Sequence, residues 1–217
     1  MIFTVGNSKG GVGKSTIAVQ LALGLAIEGA RVWLVDGDRQ ETSIGAITAR
    51  ADSGRPMIAA SAYAEGAALR AQVMQQRGNY DHVVIDAGGR DSTALRAALT
   101  VSDAVLIPFL PRSFDVWALA DIAKIVDESR AVADLRAFAF VNRADPQSKD
   151  NREAAEAVAE YPGLELLDVR VSDRKAFADA SGAGIHVEEQ KRRNQLACVE
   201  IERLRDAFFA AMTATAS

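Results

Sequence analysis

The sequence has little of several features that mark whole classes of protein. Only one of its 217 residues is cysteine, and two are histidine. A disulfide framework within the chain is therefore excluded, and so is a four-cysteine metal cluster built by this chain alone. We expect the single thiol, Cys198, to be a small buried apolar residue. The net charge is −4, so any binding to nucleic acid requires a local basic patch.

Long hydrophobic runs are also missing. The longest uncharged stretch near the start, residues 15–27, contains Gln20 and lies between Lys14 and Glu28, which makes it too short to span a bilayer. The residues before it form a loop instead of a basic leader, so no signal peptide is predicted. We expect a cytoplasmic protein. Its composition, with 49% hydrophobic and 25% charged residues, is that of an ordinary globular domain.

Short apolar runs alternate along the chain with longer segments of helical periodicity. Strands are predicted at 2–6, 31–36, 82–87, 104–109 and 136–142, with weaker candidates at 57–60 and 164–169. Helices are predicted at about 14–29, 42–52, 65–77, 92–101, 115–131, 150–160 and 188–212. This alternation predicts an α/β fold, with a mostly parallel twisted sheet and helices on both faces. We expect a single domain over 1–217 with a disordered tail at 213–217.

The first predicted strand leads into the segment NSKGGVGKST, residues 7–16, and then into the first helix. The phosphate-binding loop has Gly, four residues, Gly-Lys and Ser or Thr; Gly13, Lys14 and Ser15 fit, whereas Ser8 replaces the first glycine. Backbone N–H groups of such a loop, with the helix N-terminus, bind phosphate. Lys14 is predicted to contact the β- and γ-phosphates, and Ser15 to bind Mg²⁺. The alternative is a glycine-rich turn that binds nothing.

Three aspartates end two other predicted strands. Asp86 ends VVID, and Asp36 and Asp38 belong to VDGD. Open parallel sheets bind ligands at the carboxyl ends of their strands, so these carboxylates are candidates for holding magnesium and orienting an attacking water. The alternative for each is a helix cap or a turn residue.

The combination of KGGVGKST, VDGDRQ and VVIDAGG resembles the ParA/MinD family of deviant Walker P-loop ATPases. The similarity extends to IPFLPRSFDVWAL at 107–119 and VNRAD at 141–145, and so covers most of the chain. It implies ATP and Mg²⁺ as cofactors and ATP hydrolysis as the activity. It also implies a homodimer in which two subunits enclose two ATP molecules.

The resemblance assigns roles to individual residues. Lys9, the second lysine of the loop, is implied to reach the phosphates of the partner subunit's ATP; its alternative is a solvated lysine. Asp38 is implied to position the hydrolytic water, so that Lys9, Lys14 and Asp38 are the catalytic candidates. The implied metal-supporting residues are Ser15, Asp36 and Asp86. The implied nucleotide-binding residues are Lys9, Gly10, Gly11, Val12, Gly13, Lys14, Ser15, Thr16, Asn142 and Arg143, with Thr16 at the α-phosphate and Asn142 at the adenine.

One departure from the family lies beside Asp38. Many relatives have Asp-Pro-Gln, whereas this chain has Asp38-Arg39-Gln40. Because proline fixes φ, we expect Arg39 to leave this segment less rigid.

The expected use of the ATPase is non-specific binding of double-stranded DNA on the nucleoid. The chain length resembles the small ParA branch without an N-terminal helix-turn-helix, and a ParB-like or other adaptor is expected to stimulate hydrolysis. The cargo would be a plasmid or chromosome centromere complex, or a protein cluster. The candidate DNA-binding residues are Arg174, Lys175, Lys191, Arg192 and Arg193. Their alternative is a solvated helical face, with Glu188 and Glu189 paired to Arg192 and Arg193 four residues later.

A MinD-like protein that binds membranes is the alternative function. The last predicted helix carries an apolar stripe typical of core packing or of membrane contact: Ala197, Ile201, Leu204, Phe208 and Met212. No lysine or arginine follows Arg205, so the cationic face of an interfacial helix is missing and core packing is favoured. An iron-protein reductase is disfavoured because Cys198 is the only thiol. A biosynthetic ligase is disfavoured because no further acid–base cluster is found.

Overall fold

Seven parallel strands form one sheet in the computed structural model, which describes residues 1–89, 91–111, 113–145, 154 and 156–214. The strands are β1 Ile2–Val5, β2 Val32–Asp36, β3 Ala59–Ala62, β4 His82–Asp86, β5 Ala104–Phe109, β6 Arg136–Ala144 and β7 Glu165–Ser172. Their order is β3-β2-β4-β1-β5-β6-β7, and each neighbouring pair is parallel. The predicted fold class is confirmed.

Helices cover both faces of the sheet. They are α1 Lys14–Ile27, α2 Thr42–Arg50, α3 Gly66–Gln76, α4 Thr93–Val101, α5 Ser113–Arg130, α6 Lys175–Gly182 and α7 Gln195–Thr213. Alternate strand residues point to opposite faces, so Val83 and Ile85 belong to the core under α3, α4 and α5. Val84, between them, belongs to the core under α1, α2, α6 and α7. The near-continuous apolar strands follow from this double burial.

The structure corrects the predicted elements at several places. Helix α6 was not predicted, and β3 lies two residues later than the candidate at 57–60. Helix α7 begins at Gln195 instead of residue 188, because Asn194 caps it by accepting a hydrogen bond from the Ala197 N–H at 3.1 Å. Of the helix predicted at 150–160, residues 150–153 and 155 lie outside the described residues, whereas 154 and 156–158 are helical. Residues 215–217 of the predicted tail also lie outside the described residues.

The apolar stripe of α7 is core packing. Ala197, Ile201, Leu204 and Phe208 are buried, and Met212 packs against the same core. The Phe208 ring lies 5.1 Å from that of Phe3 in β1. Among the described residues, no helix is both long enough and apolar enough to cross a membrane.

A buried ion pair joins the end of α2 to the turn that precedes α7. Arg50 is 2% exposed, and its guanidinium donates to both carboxylate oxygens of Glu189, at 2.8 and 3.1 Å. It also donates to the carbonyls of Pro56 and Gly184. Glu189 lies in the 3₁₀ turn Val187–Glu189. The predicted helical pairing of Glu189 with Arg193 is therefore wrong, because this carboxylate faces α2.

We expect Arg50→Met to lower the free energy of unfolding by about 3–5 kcal/mol, because Glu189 would keep a largely buried charge and lose its bidentate partner, with Arg55 at 3.8 Å as the remaining ion pair. Urea unfolding followed by circular dichroism measures this change. Arg31→Met is the matched control, since Arg31 pairs with Asp81 at the exposed surface, and it should cost far less. Equal losses in the two variants would contradict the structural role of the Arg50–Glu189 pair.

Candidate functional site

Three loops meet at the carboxyl ends of neighbouring strands. The loop after β1 holds the glycine-rich segment, the loop after β2 holds Asp38, and the loop after β4 holds Gly88 and Gly89. In the sheet register, Asp86 lies opposite both Val5 and Asp36. This edge is where the strand order changes direction, the place at which open α/β sheets bind ligands.

Two buried asparagines hold the glycine-rich loop. Asn7 donates from its side chain to the Pro108 carbonyl at 2.9 Å, and its Oδ1 accepts from the Lys9 N–H at 3.0 Å. From the other side, Asn142 donates to the Val12 carbonyl at 2.7 Å. These bonds tie the loop to the ends of β5 and β6. The sequence analysis did not identify Asn7, because its role depends on a partner 101 residues away.

The loop conformation requires glycine at two positions. Gly11 and Gly13 have φ of 75° and 91°, a region that side chains disfavour. A Cβ at Gly13 would also lie 2.4 Å from Nδ2 of Asn142. Asn142 thus packs directly on the loop, and its implied contact with adenine remains a prediction.

Lys14, the first residue of α1, lies inside the loop. It is 7% exposed, and its ammonium donates to the Lys9 carbonyl at 2.8 Å. Burial lowers the pKa of Lys14, while the nearby carboxylates of Asp86 and Asp38 raise it. The ammonium is therefore placed between the loop and two of the predicted carboxylates, as a phosphate-binding lysine requires. Ser15 and Thr16 follow it and line the same cavity.

Both carboxylate oxygens of Asp36 accept hydrogen bonds from backbone N–H groups. Its Oδ1 accepts from Asp38 at 3.0 Å, and its Oδ2 accepts from Ser43 at 2.9 Å and Ile44 at 3.1 Å. Burial raises the pKa of Asp36, and these hydrogen bonds lower it. Asp36 therefore fixes the first turn of α2 and the segment containing Asp38. Its predicted support of magnesium is indirect in this geometry.

One carboxylate oxygen of Asp86 accepts a hydrogen bond, and the other has no hydrogen-bond partner among the described residues. The Ser43 hydroxyl donates to Oδ2, whereas Oδ1 is buried and receives no hydrogen bond from the described residues. Burial raises the pKa of Asp86 to about 7, and the Ser43 and Ser15 hydroxyls oppose the shift. A buried carboxylate oxygen beside Ser15 fits a magnesium shell, because Mg²⁺ binds proteins through one or two carboxylates, waters and substrate phosphates.

Binding of Mg²⁺ at this site would require ligands from the nucleotide. Within the described ranges, no three His, Cys, Asp or Glu side chains are grouped closely enough to hold a metal by themselves. Ser15 and Asp86 would hold the ion together with phosphate oxygens and water. The donor set therefore fits Mg²⁺ bound with a nucleotide.

The two glycines after β4 allow the loops to touch. A Cβ at Gly88 would lie 3.2 Å from Oδ2 of Asp38. A Cβ at Gly89 would lie 2.9 Å from both the Gly10 Cα and the Lys14 ammonium. Asp38 is half-buried, and its Oδ1 accepts from the Gln40 N–H at 3.0 Å. The β4 loop therefore lies directly against the lysine, an arrangement that the Gly-Gly motif in the sequence does not by itself predict.

A cavity of about 990 Å³ extends from these loops to the ends of β6 and β7. Its volume is at the upper end for small-molecule sites and suits a nucleoside triphosphate. At the end away from Asp38, Arg143 pairs with Asp173 at 3.1 Å. Arg143 has φ of 51°, a conformation uncommon for a side chain of its size. Arg143 and Asn142 therefore lie at the cavity end where the base is predicted.

The candidate DNA-binding residues differ in whether an acidic side chain pairs with them. Arg174 donates to both carboxylate oxygens of Glu200, at 3.0 and 2.8 Å, so its charge is locally neutralised. Lys175 is exposed and lies 3.8 Å from Asp179. Lys191, Arg192 and Arg193 are exposed in the bend before α7, and none of them forms an ion pair with a described residue.

Comparisons with known proteins agree with this geometry. A family model described as "CobQ/CobB/MinD/ParA nucleotide binding domain" matches residues 3–187. "Maintenance of carboxysome distribution protein A" of Halothiobacillus neapolitanus is 30% identical, over 92% of each chain. "Protein ParA" of Rhizobium radiobacter is 26% identical over 92% of this chain and 91% of its own. An ATP complex of Cyanothece McdA shares the fold, with a TM-score of 0.77 at 17% identity over 100% of this chain and 98% of its own.

We expect Lys14→Ala to weaken ATP binding about 100-fold, because a charged hydrogen bond contributes about 1.5–3 kcal/mol and Lys14 is predicted to contact the β- and γ-phosphates. Titration of a fluorescent ATP analogue measures the affinity. Lys124→Ala, which removes an exposed lysine of α5, should bind as the unchanged protein does. Normal affinity of Lys14→Ala would refute the assignment of the loop.

Proposed function

This chain belongs to the CobQ/CobB/MinD/ParA nucleotide-binding family, and from that membership we propose that it is a ParA-like ATPase. It hydrolyses ATP to ADP and phosphate in the presence of Mg²⁺. The observation that carries the proposal is that Lys14 and Asp38 line one end of a cavity of nucleotide size, with the buried carboxylate of Asp86 close enough to Lys14 to raise its pKa. When bound, Mg²⁺ would be held with the help of Ser15 and Asp86 and would neutralise charge on the phosphates.

Each residue of the site has a separate role in the proposed reaction. Lys14 and the loop N–H groups hold the phosphates, and Ser15 and Asp86 hold the magnesium. Asp38, which lies on the Gly88 side of the cavity, orients the attacking water. Asp36 keeps the Asp38 segment in place through the hydrogen bond to its N–H. Catalysis of phosphoryl transfer by positioning and electrostatic stabilisation requires this kind of fixed geometry.

We further propose that ATP drives formation of a homodimer through Lys9. The Lys9 N–H donates to Asn7 and its carbonyl accepts from Lys14. The backbone of Lys9 is therefore fixed at the mouth of the phosphate loop, where its ammonium is proposed to reach the partner's phosphates. ATP brings about four negative charges, so a cation from the partner stabilises both the interface and the transferring phosphoryl group.

The proposed readout of the dimer is non-specific binding to the DNA of the nucleoid. Support comes from Lys191, Arg192 and Arg193, three exposed cations in one bend whose charges are not neutralised by described residues. Arg174 is a weaker candidate because Glu200 binds it on both oxygens. Phosphate contacts of this kind need no base recognition.

The proposed biological role is to position a cargo on the nucleoid. The two relatives are named for carboxysome distribution and as ParA, so the candidates are a protein assembly or a centromere complex, each with a stimulating adaptor. The MinD-like alternative is less favoured, because the apolar stripe of α7 that a membrane would need is buried in the core.

We expect Lys9→Ala to bind ATP but to remain monomeric, because the proposed contact with the partner's nucleotide is lost while the backbone hydrogen bonds of residue 9 to Asn7 and Lys14 can remain. Sedimentation velocity with ATP and with ADP measures the association, and Lys124→Ala should dimerise normally. ATP-dependent dimers of Lys9→Ala would contradict the proposed contact.

We expect the triple substitution of Lys191, Arg192 and Arg193 by Ala to remove ATP-dependent DNA binding. Six cations per dimer predict a slope of about −5 in log affinity against log salt, and this slope should become much shallower. Gel shifts of random-sequence duplex at several salt concentrations measure it, in an Asp38→Ala background chosen to slow hydrolysis.

The matched control for DNA binding removes equal charge from the opposite face of the sheet. It replaces three exposed residues of the α3 and α5 region by Ala: Arg70, Arg77 and Lys124. Similar loss of DNA binding in both triple variants would show a general charge effect and would contradict a site at the bend.

A further inference from the structure

Ser43, the second residue of α2, contacts both buried carboxylates of the site. Its N–H donates to Oδ2 of Asp36 at 2.9 Å, and its hydroxyl donates to Oδ2 of Asp86. The residue is fully buried. Nothing in the sequence pattern marks it, because it lies outside the glycine-rich loop and outside the aspartate motifs.

The hydroxyl of Ser43 selects which oxygen of Asp86 keeps its hydrogen-bonding capacity unused. A carboxylate has two chemically equal oxygens, and its terminal torsion is only weakly restrained. Ser43 holds Oδ2, so Oδ1 is the buried oxygen that has no hydrogen-bond partner among the described residues. Asp86 itself is 1% exposed, so water cannot readily replace this donor if the hydroxyl is lost.

We propose that Ser43 is a positioning residue for the magnesium ion that accompanies the nucleotide. It orients Asp86 so that Oδ1 faces the ion or its water shell, and it connects this carboxylate to the first turn of α2. The inference rests on the proposed function, because the ion is bound together with nucleotide phosphates. Groups that orient a metal-binding carboxylate typically change metal affinity about 10- to 100-fold when removed.

The connection to α2 has a second consequence. Asp36 binds the N–H groups of Asp38, Ser43 and Ile44, so Ser43 shares its carboxylate partner with the water-positioning residue. Movement of Asp86 toward a bound ion would therefore act on the Asp38 segment through Ser43. Three hydrogen bonds connect Asp86 to the Asp38 segment: from the Ser43 hydroxyl to Asp86, from the Ser43 N–H to Asp36 and from the Asp38 N–H to Asp36.

The test separates positioning of the metal from a merely structural role. Fluorescent ADP is titrated into Ser43→Ala in EDTA and at increasing Mg²⁺ concentrations. We expect ADP affinity in EDTA to stay within about twofold of the unchanged protein, while the Mg²⁺ concentration for half-maximal enhancement rises about tenfold or more. Thermal melting without ligand measures stability separately.

Ser129→Ala is the matched control, because Ser129 is also buried and donates its hydroxyl to the Ile125 carbonyl within α5. It should leave the Mg²⁺ requirement unchanged. If Ser43→Ala melts below the assay temperature, Ser43→Cys serves instead, since its thiol is a weak donor of similar size. It should also raise the Mg²⁺ requirement.

Two outcomes would overturn the proposal. An unchanged Mg²⁺ requirement would show that Ser43 does not orient Asp86 for the ion. Equal weakening of ADP binding in EDTA and in Mg²⁺ would show a structural role only. If the unchanged protein binds no ADP with Mg²⁺, the proposed function fails, and the inference fails with it; this result differs from both outcomes above.

Discussion

The site depends on burying two carboxylates on neighbouring strands. Asp36 and Asp86 are register partners in β2 and β4, and burial of a charged group is costly unless hydrogen bonds compensate it. Asp36 is compensated by three backbone N–H groups, and Asp86 by the Ser43 hydroxyl together with the nearby Ser15 hydroxyl. This requirement fixes where α2 begins, and it leaves one oxygen of Asp86 for a ligand. The positions of Asp38 and of the cavity wall follow from the same hydrogen bonds.

The cavity wall formed by the glycine-rich loop is also held in place by hydrogen bonds. Asn7 and Asn142 bind the glycine-rich loop to the ends of β5 and β6, and Gly89 allows the β4 loop to rest against Lys14. The site is therefore largely preorganised for phosphate and magnesium. Helix α2 runs from the carboxylates to Arg50, whose partner Glu189 lies two residues before Lys191. One short helix thus joins the nucleotide site to the basic bend.

The sequence allowed the fold class, the loop and the three aspartates to be predicted, because each depends on local periodicity or on a short motif. Asn7, Ser43 and Gly89 were not assigned their contacts, since their partners are distant in sequence and the residue types are common in turns. The start of α7 was misplaced because charges at 188–193 suggested helical pairs, whereas Glu189 pairs with Arg50 across 139 residues. Tertiary contacts of this kind override local spacing.

The central claim is that two copies of this chain enclose Mg·ATP through the loop described above. The most direct test is a crystal structure of Asp38→Ala with ATP and Mg²⁺. The account predicts a symmetric dimer in which Lys14 contacts its own nucleotide, Lys9 contacts the partner's, and Asp86 Oδ1 faces the ion or its water shell. A monomer with bound nucleotide, or a dimer whose Lys9 residues do not reach the partner's phosphates, would contradict it.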